Sequence, residues 1–460
     1  MPQPKKNLRN LSPNQALILY YAVSIFTGAL LLSLPVAATG RPVPFLDALF
    51  TATSAQCVTG LSVIDVGARL STFGQLVLLA LIQLGGLGVT TFSVYLFFYL
   101  RKGVSTRGRW IIHDTLLHSP VESLRDLVRG IFLLTVAIEG AGAVLLAIAF
   151  VPNLGWGRGI YYAIFHSISA FCNAGFSLFH NSLVGYRANG LVNFTIIMLI
   201  VLGGIGFLVM RELIDVGRAW RRRSSGRRPR LSLHTKLVLW TTAALIVGGT
   251  VLILILENHS ALRGMPWSER FWVSFFQSVT ARTAGFNTID LNRFEVPTIF
   301  LIMFLMFIGA SPGSAGGGIK TTSLALFVAI LHSRLKGVSH TNVFRRTIPD
   351  EIVTKTLTLV MLAALFLSAA SFALLAVQLQ GHAFAQSRGA FMDYTFEAVS
   401  AFATAGLSLG ATAKLTAWGK LIIIALMYVG RVGLLTLAFT IVGRAKAHPV
   451  QYGEENIMIG

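Results

Sequence analysis

The stretch FHSISAFCNAGFSLF, residues 165–179, decides the fold, because related versions of it occur four times along the chain. Each version ends near one glycine, at Gly60, Gly175, Gly285 and Gly406. A phenylalanine stands ten residues before each glycine, at Phe50, Phe165, Phe275 and Phe396. The glycines are 115, 110 and 121 residues apart, and four matches in one register indicate an internal repeat.

The composition predicts a membrane protein. Of 460 residues, 54% are hydrophobic and only 12% are charged, and the mean hydropathy is +0.70. Apolar runs of about 20 residues are long enough to cross a bilayer as helices. Such runs occupy 15–37, 75–100, 131–151, 191–210, 237–256, 355–379 and 419–442.

Each repeated segment lies between two long apolar runs and has about 10–14 residues, too few to cross a bilayer as a helix. It fits a re-entrant pore helix followed by an extended return. We therefore predict an all-α polytopic membrane protein with eight transmembrane helices and four pore helices. The four parallel repeats surround one pseudo-fourfold pore. The predicted repeats are 15–101, 126–216, 234–332 and 354–443, followed by a cytoplasmic tail, 444–460.

The net charge of +20 follows the connections between the apolar runs. Of the 38 Lys and Arg, 24 lie in the N-terminus, 101–125, 211–236, 331–356 and the C-terminal tail. Positive charge on alternate connections predicts that both termini are cytoplasmic, and it removes the need for a nucleic-acid partner. The basic run 220–230 has two interpretations: contact with anionic lipid or a cytosolic partner, or a topological anchor.

Small residues interrupt the second long run of each copy. The motifs LGGLG at 84–88 and LGGIG at 202–206 are typical of close helix packing. The third copy contains SPGSAGGG, whose glycines and proline weaken a helix interior. Non-helical backbone at membrane depth needs a cover of protein or a water-filled cavity, so we predict a break at 309–319 that faces the conduction path.

Four half-helices that converge on glycines suit cation coordination by backbone. The C-terminal end of each helix is partially negative, and an extended segment beyond it can present carbonyl oxygens to an alkali cation. The predicted ligands are the oxygens of Val58, Thr59, Gly60, Asn173, Ala174, Gly175, Thr283, Ala284, Gly285, Thr404, Ala405 and Gly406. Asp65 and Asp290 lie just beyond; they concentrate cations or are ordinary loop acids.

These motifs together resemble the Trk/Ktr/HKT superfamily of potassium transporters over nearly the whole chain, roughly 15–460. The carriers of the resemblance are the four filter glycines, the glycine-rich break in the third copy and Arg431 in VGRVG (429–433). The early start of the first repeat and the tail YGEENIMIG (452–460) are most similar to the membrane subunit of a bacterial Ktr system.

The resemblance implies potassium uptake across the bacterial plasma membrane, with K⁺ as the transported ion and no cofactor in this chain. Because Gly60 stands where some sodium-favouring plant relatives have serine, the expected ion is potassium. The family's gating loop corresponds to Gly309, Ala310, Ser311, Pro312, Gly313, Ser314, Ala315, Gly316, Gly317 and Gly318. Arg431 corresponds to the family's electrostatic barrier. The implied partners are a second copy in a homodimer and a cytosolic ring of nucleotide-binding RCK proteins.

Several polar residues have more than one interpretation. Arg431, inside a span, faces the pore or forms a structural ion pair with Glu139. Lys320, which follows the break, anchors the loop or extends to the cytoplasmic boundary. Arg282 is predicted to brace its pore helix, and His166 is assigned no role beyond packing and hydrogen bonding.

The alternative function is an alternating-access carrier of a small substrate, because such carriers also contain broken helices at the midplane. Parallel fourfold copies that end in glycines argue against it. No paired carboxylates, histidine cluster or Ser/Lys arrangement lies together in the predicted spans, so an enzyme is not predicted. Coupling to sodium or protons and the regulating nucleotide are left open by the sequence.

Overall fold

The computed structural model describes residues 13–102, 124–221, 230–434 and 436–437, and these are predominantly helical. The helices are α1 (Pro13–Ser33), α2 (Phe45–Gln56), α3 (Val66–Arg69), α4 (Thr72–Lys102), α5 (Leu124–Leu154), α6 (Trp156–Phe171), α7 (Gly190–Ile205), α8 (Phe207–Arg221), α9 (Leu233–Glu257), α10 (Trp267–Thr280), α11 (Val296–Phe307), α12 (Thr321–Leu335), α13 (Asp350–Gln378), α14 (Phe384–Ala403) and α15 (Ala417–Val432). Strands β1 (Asn342–Val343) and β2 (Arg346–Thr347) form a short antiparallel hairpin. The tail 444–460 and most of the basic run 220–230 lie outside the described residues.

Four helices in the described part of the chain are long and apolar enough to cross a membrane. They are Gln15–Ser33, Val128–Leu154, Leu233–Glu257 and Asp350–Gln378, which are the first long helices of the four copies. The second long helices are bent, interrupted or only partly described. The chain is therefore a multi-pass membrane protein, and the number of eight spans stays a prediction.

The second helix of the second copy departs from the sequence prediction. The run 191–210 was predicted as one span, but α7 ends at Ile205 and α8 leaves it at an angle of 100°. Gly206 makes the break with φ of +91°, a left-handed conformation that glycine adopts without a steric penalty. The motif LGGIG therefore ends a helix as well as packing it.

Helices α2, α6, α10 and α14 precede the repeated glycines, and their C-terminal ends point toward them. Helices α2 and α10 have 12 and 14 residues, as predicted, whereas α6 and α14 have 16 and 20 residues and are longer than the predicted 10–14. Each packs against the first long helix of its own copy: α1 with α2, α5 with α6, α9 with α10, and α13 with α14. Three of the four repeated phenylalanines, Phe50, Phe165 and Phe396, are completely buried, whereas Phe275 is half-buried. The three buried side chains anchor their helices in the apolar interior.

Polar contacts join the copies into a closed arrangement. The first and second copies meet where the Tyr161 hydroxyl donates to Gln75 Oε1 at 2.9 Å. The second and third meet where the Leu183 amide donates to the Asn287 carbonyl at 3.0 Å. The third and fourth meet where the Gly317 amide donates to Thr404 Oγ1 at 3.1 Å. The fourth returns to the first through the Lys420–Asp47 ion pair at 2.5 Å. The first and fourth copies, which are far apart in sequence, are thus adjacent in space.

The interruption in the third copy separates α11 from α12. Helix α11 ends at Phe307 and α12 begins at Thr321. Between them, residues 309–319 form the glycine-rich loop, whose two ends lie side by side and run in the same direction at a parallel bridge between Ile308 and Ile319. Most of this loop is buried, so its backbone is covered by protein as non-helical backbone inside a membrane requires.

Candidate functional site

The four glycine segments, residues 58–60, 173–175, 283–285 and 404–406, share an unusual backbone. Two residues before each glycine, a non-glycine residue has a positive φ: Val58 at 56°, Asn173 at 59°, Thr283 at 66° and Thr404 at 51°. The glycines themselves have φ of 99°, 71°, 78° and 81° in chain order. Such strained backbone persists only where the surroundings hold it, and it concentrates at functional sites.

The four glycine segments touch one another in a ring. A Cβ atom built on Gly60 would lie 2.6 Å from the Ala174 carbonyl oxygen, and one on Gly175 would lie 2.7 Å from that of Ala284. A Cβ on Gly285 would lie 3.1 Å from the Ala405 oxygen. A Cβ on Gly406 would collide with the Thr59 oxygen, which closes the circle. There is no room for a side chain at any of the four glycines.

Hydrogen bonds direct the backbone of the segments. The amides of Thr59 and Ala174 donate back into their helices, to Ser54 O and Ser169 O, both at 2.7 Å. Ala405 does the same to Ser400 O at 2.8 Å. In the third copy the Ala284 amide donates instead to Thr280 O, four residues back, at 3.0 Å. Because these backbone amides hydrogen-bond back into the helices, the carbonyl oxygens are the polar backbone groups that remain to line the ring.

The small-residue motifs support the helix ends from the side. Gly85, Gly203 and Gly430 occupy the same place in LGGLG, LGGIG and VGRVG. Each lies directly against a carbonyl oxygen four residues before one of the repeated glycines, namely those of Gln56, Phe171 and Phe402. A Cβ at any of the three would collide with that oxygen. The close packing predicted for the first two motifs therefore holds the helix ends in place.

The glycine-rich loop lies directly against the ring. The Gly317 amide donates to Thr404 Oγ1 at 3.1 Å, and a Cβ on Gly316 would collide with the Thr283 hydroxyl. The other side of the loop is held by the second copy, because the Ser311 amide donates to Gly204 O at 3.0 Å. The loop thus spans from the second copy to the segments of the third and fourth.

Two cationic side chains hold the glycine-rich loop. Lys320 Nζ donates to the Gly316 carbonyl at 2.7 Å. Arg431, only 5% exposed, donates through Nη1 to the Ala315 carbonyl and through Nη2 to Gly85 O at 2.7 Å. Its Nε donates to the Tyr21 hydroxyl at 3.3 Å. Arg431 therefore connects the loop to helices α1 and α4 of the first copy through hydrogen bonds.

Arg431 occupies a position where other copies have glycine. In the aligned motifs, Gly86 and Gly204 stand where VGRVG has its arginine. Sequence reasoning identified Arg431 but missed Tyr21 and the Gly85 carbonyl as its partners. Alignment of the three motifs was the available signal for Gly85, whereas no signal pointed to Tyr21.

Glu139 binds neutral groups. Its carboxylate accepts from Gln83 Nε2 at 3.1 Å and lies 3.8 Å from the Cys172 sulfur. With Arg431 hydrogen-bonded to carbonyls instead, the alternative of an Arg431–Glu139 ion pair is wrong. The pair was plausible because both residues are charged groups inside predicted spans. Their spacing along the sequence does not reveal which groups lie next to them.

The remaining predicted residues have structural contacts. Asp65 caps α3 by accepting from the Ala68 amide at 3.1 Å, and Asp290 caps the turn Leu291–Arg293 by accepting from the Asn292 amide at 3.0 Å. Arg282 is buried, but its Nε has no hydrogen-bond partner among the described residues. His166 Nδ1 donates to the Tyr162 carbonyl at 2.7 Å, which agrees with a packed and hydrogen-bonded histidine.

The site can coordinate cations only with oxygen, chiefly from backbone. The described part of the chain holds no group of three or more His, Cys, Asp or Glu that could bind a metal ion. Carbonyl oxygens are hard ligands that suit alkali cations, which they hold by replacing the hydration shell. The ring of glycine segments is therefore the candidate site for a transported cation.

Comparison with known proteins agrees with this chemistry. Residues 4–452 match the family model described as TrkH, cation transport protein. The potassium/sodium uptake protein NtpJ of Enterococcus hirae is 37% identical over 99% of both chains. The Ktr system potassium uptake protein B of Bacillus subtilis is 38% identical over 98% of this chain and 97% of its own.

A solved structure supports the fold. The crystal structure of the potassium transporter TrkH from Vibrio parahaemolyticus aligns with a TM-score of 0.73 at 19% identity, and it covers 95% of this chain and 86% of that chain. With the family model matching most of the chain, the prediction of a transporter rather than an enzyme is confirmed. The chain belongs to the TrkH family of cation transport proteins.

Proposed function

We propose that the chain takes up potassium across a bacterial plasma membrane through the ring of glycine segments. The observation that carries the proposal is the mutual contact of the four glycines with neighbouring carbonyl oxygens. Both closely similar relatives carry potassium uptake in their names, and one also carries sodium. Dependence of uptake on sodium belongs to the same proposal and is measured in the same experiment.

The proposed architecture is four helix–pore helix–helix repeats around one pore, with eight transmembrane helices. Helices α2, α6, α10 and α14 are the pore helices. The boundaries are 15–101, 126–216, 234–332 and 354–443. Parallel repeats bring all four helix C-termini to one level, where their partial negative charges favour a cation.

The proposed filter is the backbone of the four glycine segments. Carbonyl oxygens replace the water that a potassium ion sheds, and their number and spacing decide which ion is accepted. The proposed ligands are those of residues 58–60, 173–175, 283–285 and 404–406. Gly60 completes a ring in which all four copies have glycine, which favours potassium.

The proposed gate is the glycine-rich loop with Lys320 and Arg431. The loop touches the segments of the third and fourth copies, so an ion that leaves the ring on this side meets it first. Two positive charges bonded to adjacent loop carbonyls oppose the passage of a cation. Opening then requires the loop to leave Arg431.

The proposed assembly is a homodimer in which each subunit has its own pore, on a cytosolic nucleotide-binding RCK ring. Support comes from the relatives named as components of Ktr systems, since a system implies further subunits. Both termini and the basic connections face the cytoplasm, and the bilayer surrounds the apolar helices. The membrane is the bacterial inner membrane.

The test is growth rescue of a bacterium that lacks its own potassium uptake, at low external potassium. The chain is expressed alone and together with a Ktr-type cytosolic subunit. Rescue in the presence of the subunit is expected, and isotope flux into proteoliposomes with and without a sodium gradient measures coupling. Normal expression without rescue, and without potassium flux in liposomes, contradicts the proposal.

A further inference from the structure

Two buried polar side chains link pore helices to filter segments in alternate copies. His166 lies nine residues before Gly175, and its Nε2 is 2.9 Å from the hydroxyl of Ser177, two residues after that glycine. Glu397 lies nine residues before Gly406, and Ser408, two residues after it, donates to Glu397 Oε1 at 2.5 Å. The same two positions are thus bridged in the second and fourth copies.

The chemistry of the two bridges is complementary. The Tyr162 carbonyl can only accept, so His166 Nδ1 carries the proton and Nε2 of the neutral ring accepts from Ser177. Glu397 uses both carboxylate oxygens, since Thr412 Oγ1 donates to Oε2 at 2.6 Å. Both His166 and Glu397 are fully buried. A buried polar group held this way is costly to misplace.

Each bridging serine also fixes the chain that follows it. The Phe179 amide donates to Ser177 Oγ at 3.0 Å, and the Gly410 amide donates to Ser408 Oγ at 2.8 Å. The hydroxyl therefore donates to the pore helix and accepts from the backbone two residues on, identically in the two copies. One oxygen sets the position of the segment exit relative to its helix.

The first and third copies have no such bridge among the described residues. At the same two positions stand Thr51 with Ser62, and Phe276 with Asn287. The Thr51 hydroxyl donates within its own helix to Asp47 O, and the Ser62 hydroxyl donates to Ile64 O at 2.7 Å. Phe276 has no polar side-chain atom, and Asn287 Nδ2 donates to Ile289 O.

We propose that His166 and Glu397 are positioning residues that set the width of the potassium filter from two opposite sides. The bridged copies are opposite because Gly175 and Gly406 are separated by Gly60 on one side of the ring and by Gly285 on the other. A ring of carbonyls discriminates potassium from the smaller sodium through the spacing of its oxygens. Fixing two opposite segments keeps that spacing. This inference rests on the proposed function.

The test compares Ser177→Ala and Ser408→Ala with Ser62→Ala, the matched change in an unbridged copy. Wild type and variants are reconstituted as full chains in liposomes, and initial rates of potassium and sodium uptake are measured. Loss of one bridge is expected to lower the potassium-to-sodium ratio about fivefold, as for one buried hydrogen bond, and the double variant lowers it further. Ser62→Ala keeps the wild-type ratio.

A conservative variant separates positioning from general stability. Glu397→Gln keeps an oxygen that accepts from Ser408, so it should retain more selectivity than Glu397→Ala at equal amounts of folded protein. If the wild-type protein takes up potassium selectively and both serine variants keep the same selectivity, the proposed role of the two bridges is refuted while the proposed function stands. A wild-type protein without selective potassium uptake overturns the proposed function and the bridges together.

Discussion

The ring of glycine segments and the layer that contacts it differ in symmetry. All four segments repeat the same positive φ and the same contact between a glycine and a neighbouring carbonyl. The contacting layer has one glycine-rich loop in the third copy and one arginine in the fourth. A repeated structure suits a task that needs several equal ligands, whereas a single movable element suits a task that needs one switch.

The difference also separates backbone chemistry from side-chain chemistry. In the ring, side chains vary between copies while the glycine is constant, so the proposed ion binding is assigned to carbonyl oxygens. In the contacting layer, the side chains of Lys320 and Arg431 hold the loop through its carbonyls. Substitutions in the ring should therefore lower potassium binding or change which ion passes, whereas substitutions in the layer should raise the basal flux and leave the ion preference unchanged.

The largest effect is expected for Gly175→Ala. Its Cβ would meet the Ala284 oxygen at 2.7 Å, and φ of +71° strains any other residue. We expect potassium uptake to fall about a hundredfold, because strain and displaced ligands act together. Gly157→Ala in the same copy, where a Cβ meets nothing within 4 Å, is the control. Potassium uptake into proteoliposomes is measured for both variants, and equal rates would refute the role of the ring in ion passage.

Arg431→Ala should have the next largest effect, in the opposite direction. It removes a buried charge and the three hydrogen bonds that join the loop, at the Ala315 carbonyl, to Tyr21 and Gly85, so the basal flux without a cytosolic subunit should rise about tenfold. Rubidium flux in proteoliposomes measures it, with the exposed Arg41→Ala as control. A flux equal to wild type at the same amount of folded protein contradicts the gate.

Ser311→Ala tests the attachment of the loop at its start. The Ser311 hydroxyl lies 2.9 Å from Thr321 Oγ1, at the beginning of α12, and the buried pair joins the two ends of the loop. Loss of one such bond should raise basal rubidium flux about threefold while leaving the ratio of potassium to sodium uptake unchanged. A changed ratio of potassium to sodium uptake with an unchanged basal flux would contradict this assignment, because it would place ion selection in the loop layer instead of in the ring of glycine segments.

Tyr21→Phe should have the smallest effect. The Tyr21 hydroxyl accepts from Arg431 and donates to Gly85 O at 3.1 Å, so its loss loosens Arg431 without removing the charge. Basal flux should rise about twofold. Tyr20→Phe is a matched control, because the neighbouring Tyr20 hydroxyl binds Leu84 O instead. Identical basal flux in Tyr21→Phe and Tyr20→Phe would show that the Tyr21 hydroxyl does not help to hold the gate closed.

The sequence predicted much of this organisation because its signals are local. The repeated glycines and the composition of 309–319 indicated where the chain turns and where helix α11 stops. The bend at Gly206 was missed because LGGIG has the same letters whether it packs a helix or ends one. The Glu139 contacts and the Tyr21–Arg431 contact join residues 33 to 410 positions apart, which spacing along the chain does not reveal.

The bridges of the second and fourth copies were also not predicted from the sequence, for a different reason. His166 was visible in the sequence, and its equivalence to Glu397 follows from the same alignment that revealed the glycines. The equivalence pairs a histidine with a carboxylate, two side chains of different shape and opposite charge when ionised, whose common ability to accept a hydrogen bond does not stand out in an alignment. Only the distances to Ser177 and Ser408 make the common role apparent.

In the proposed function, the ring of glycine segments binds the transported ion through its backbone. Anomalous diffraction from crystals grown with rubidium or thallium in place of potassium would locate that ion. We expect a peak on the axis enclosed by the carbonyl oxygens of Thr59, Ala174, Ala284 and Ala405, which excess sodium does not displace. Ordered ions elsewhere in the molecule, with none at this ring, would contradict it.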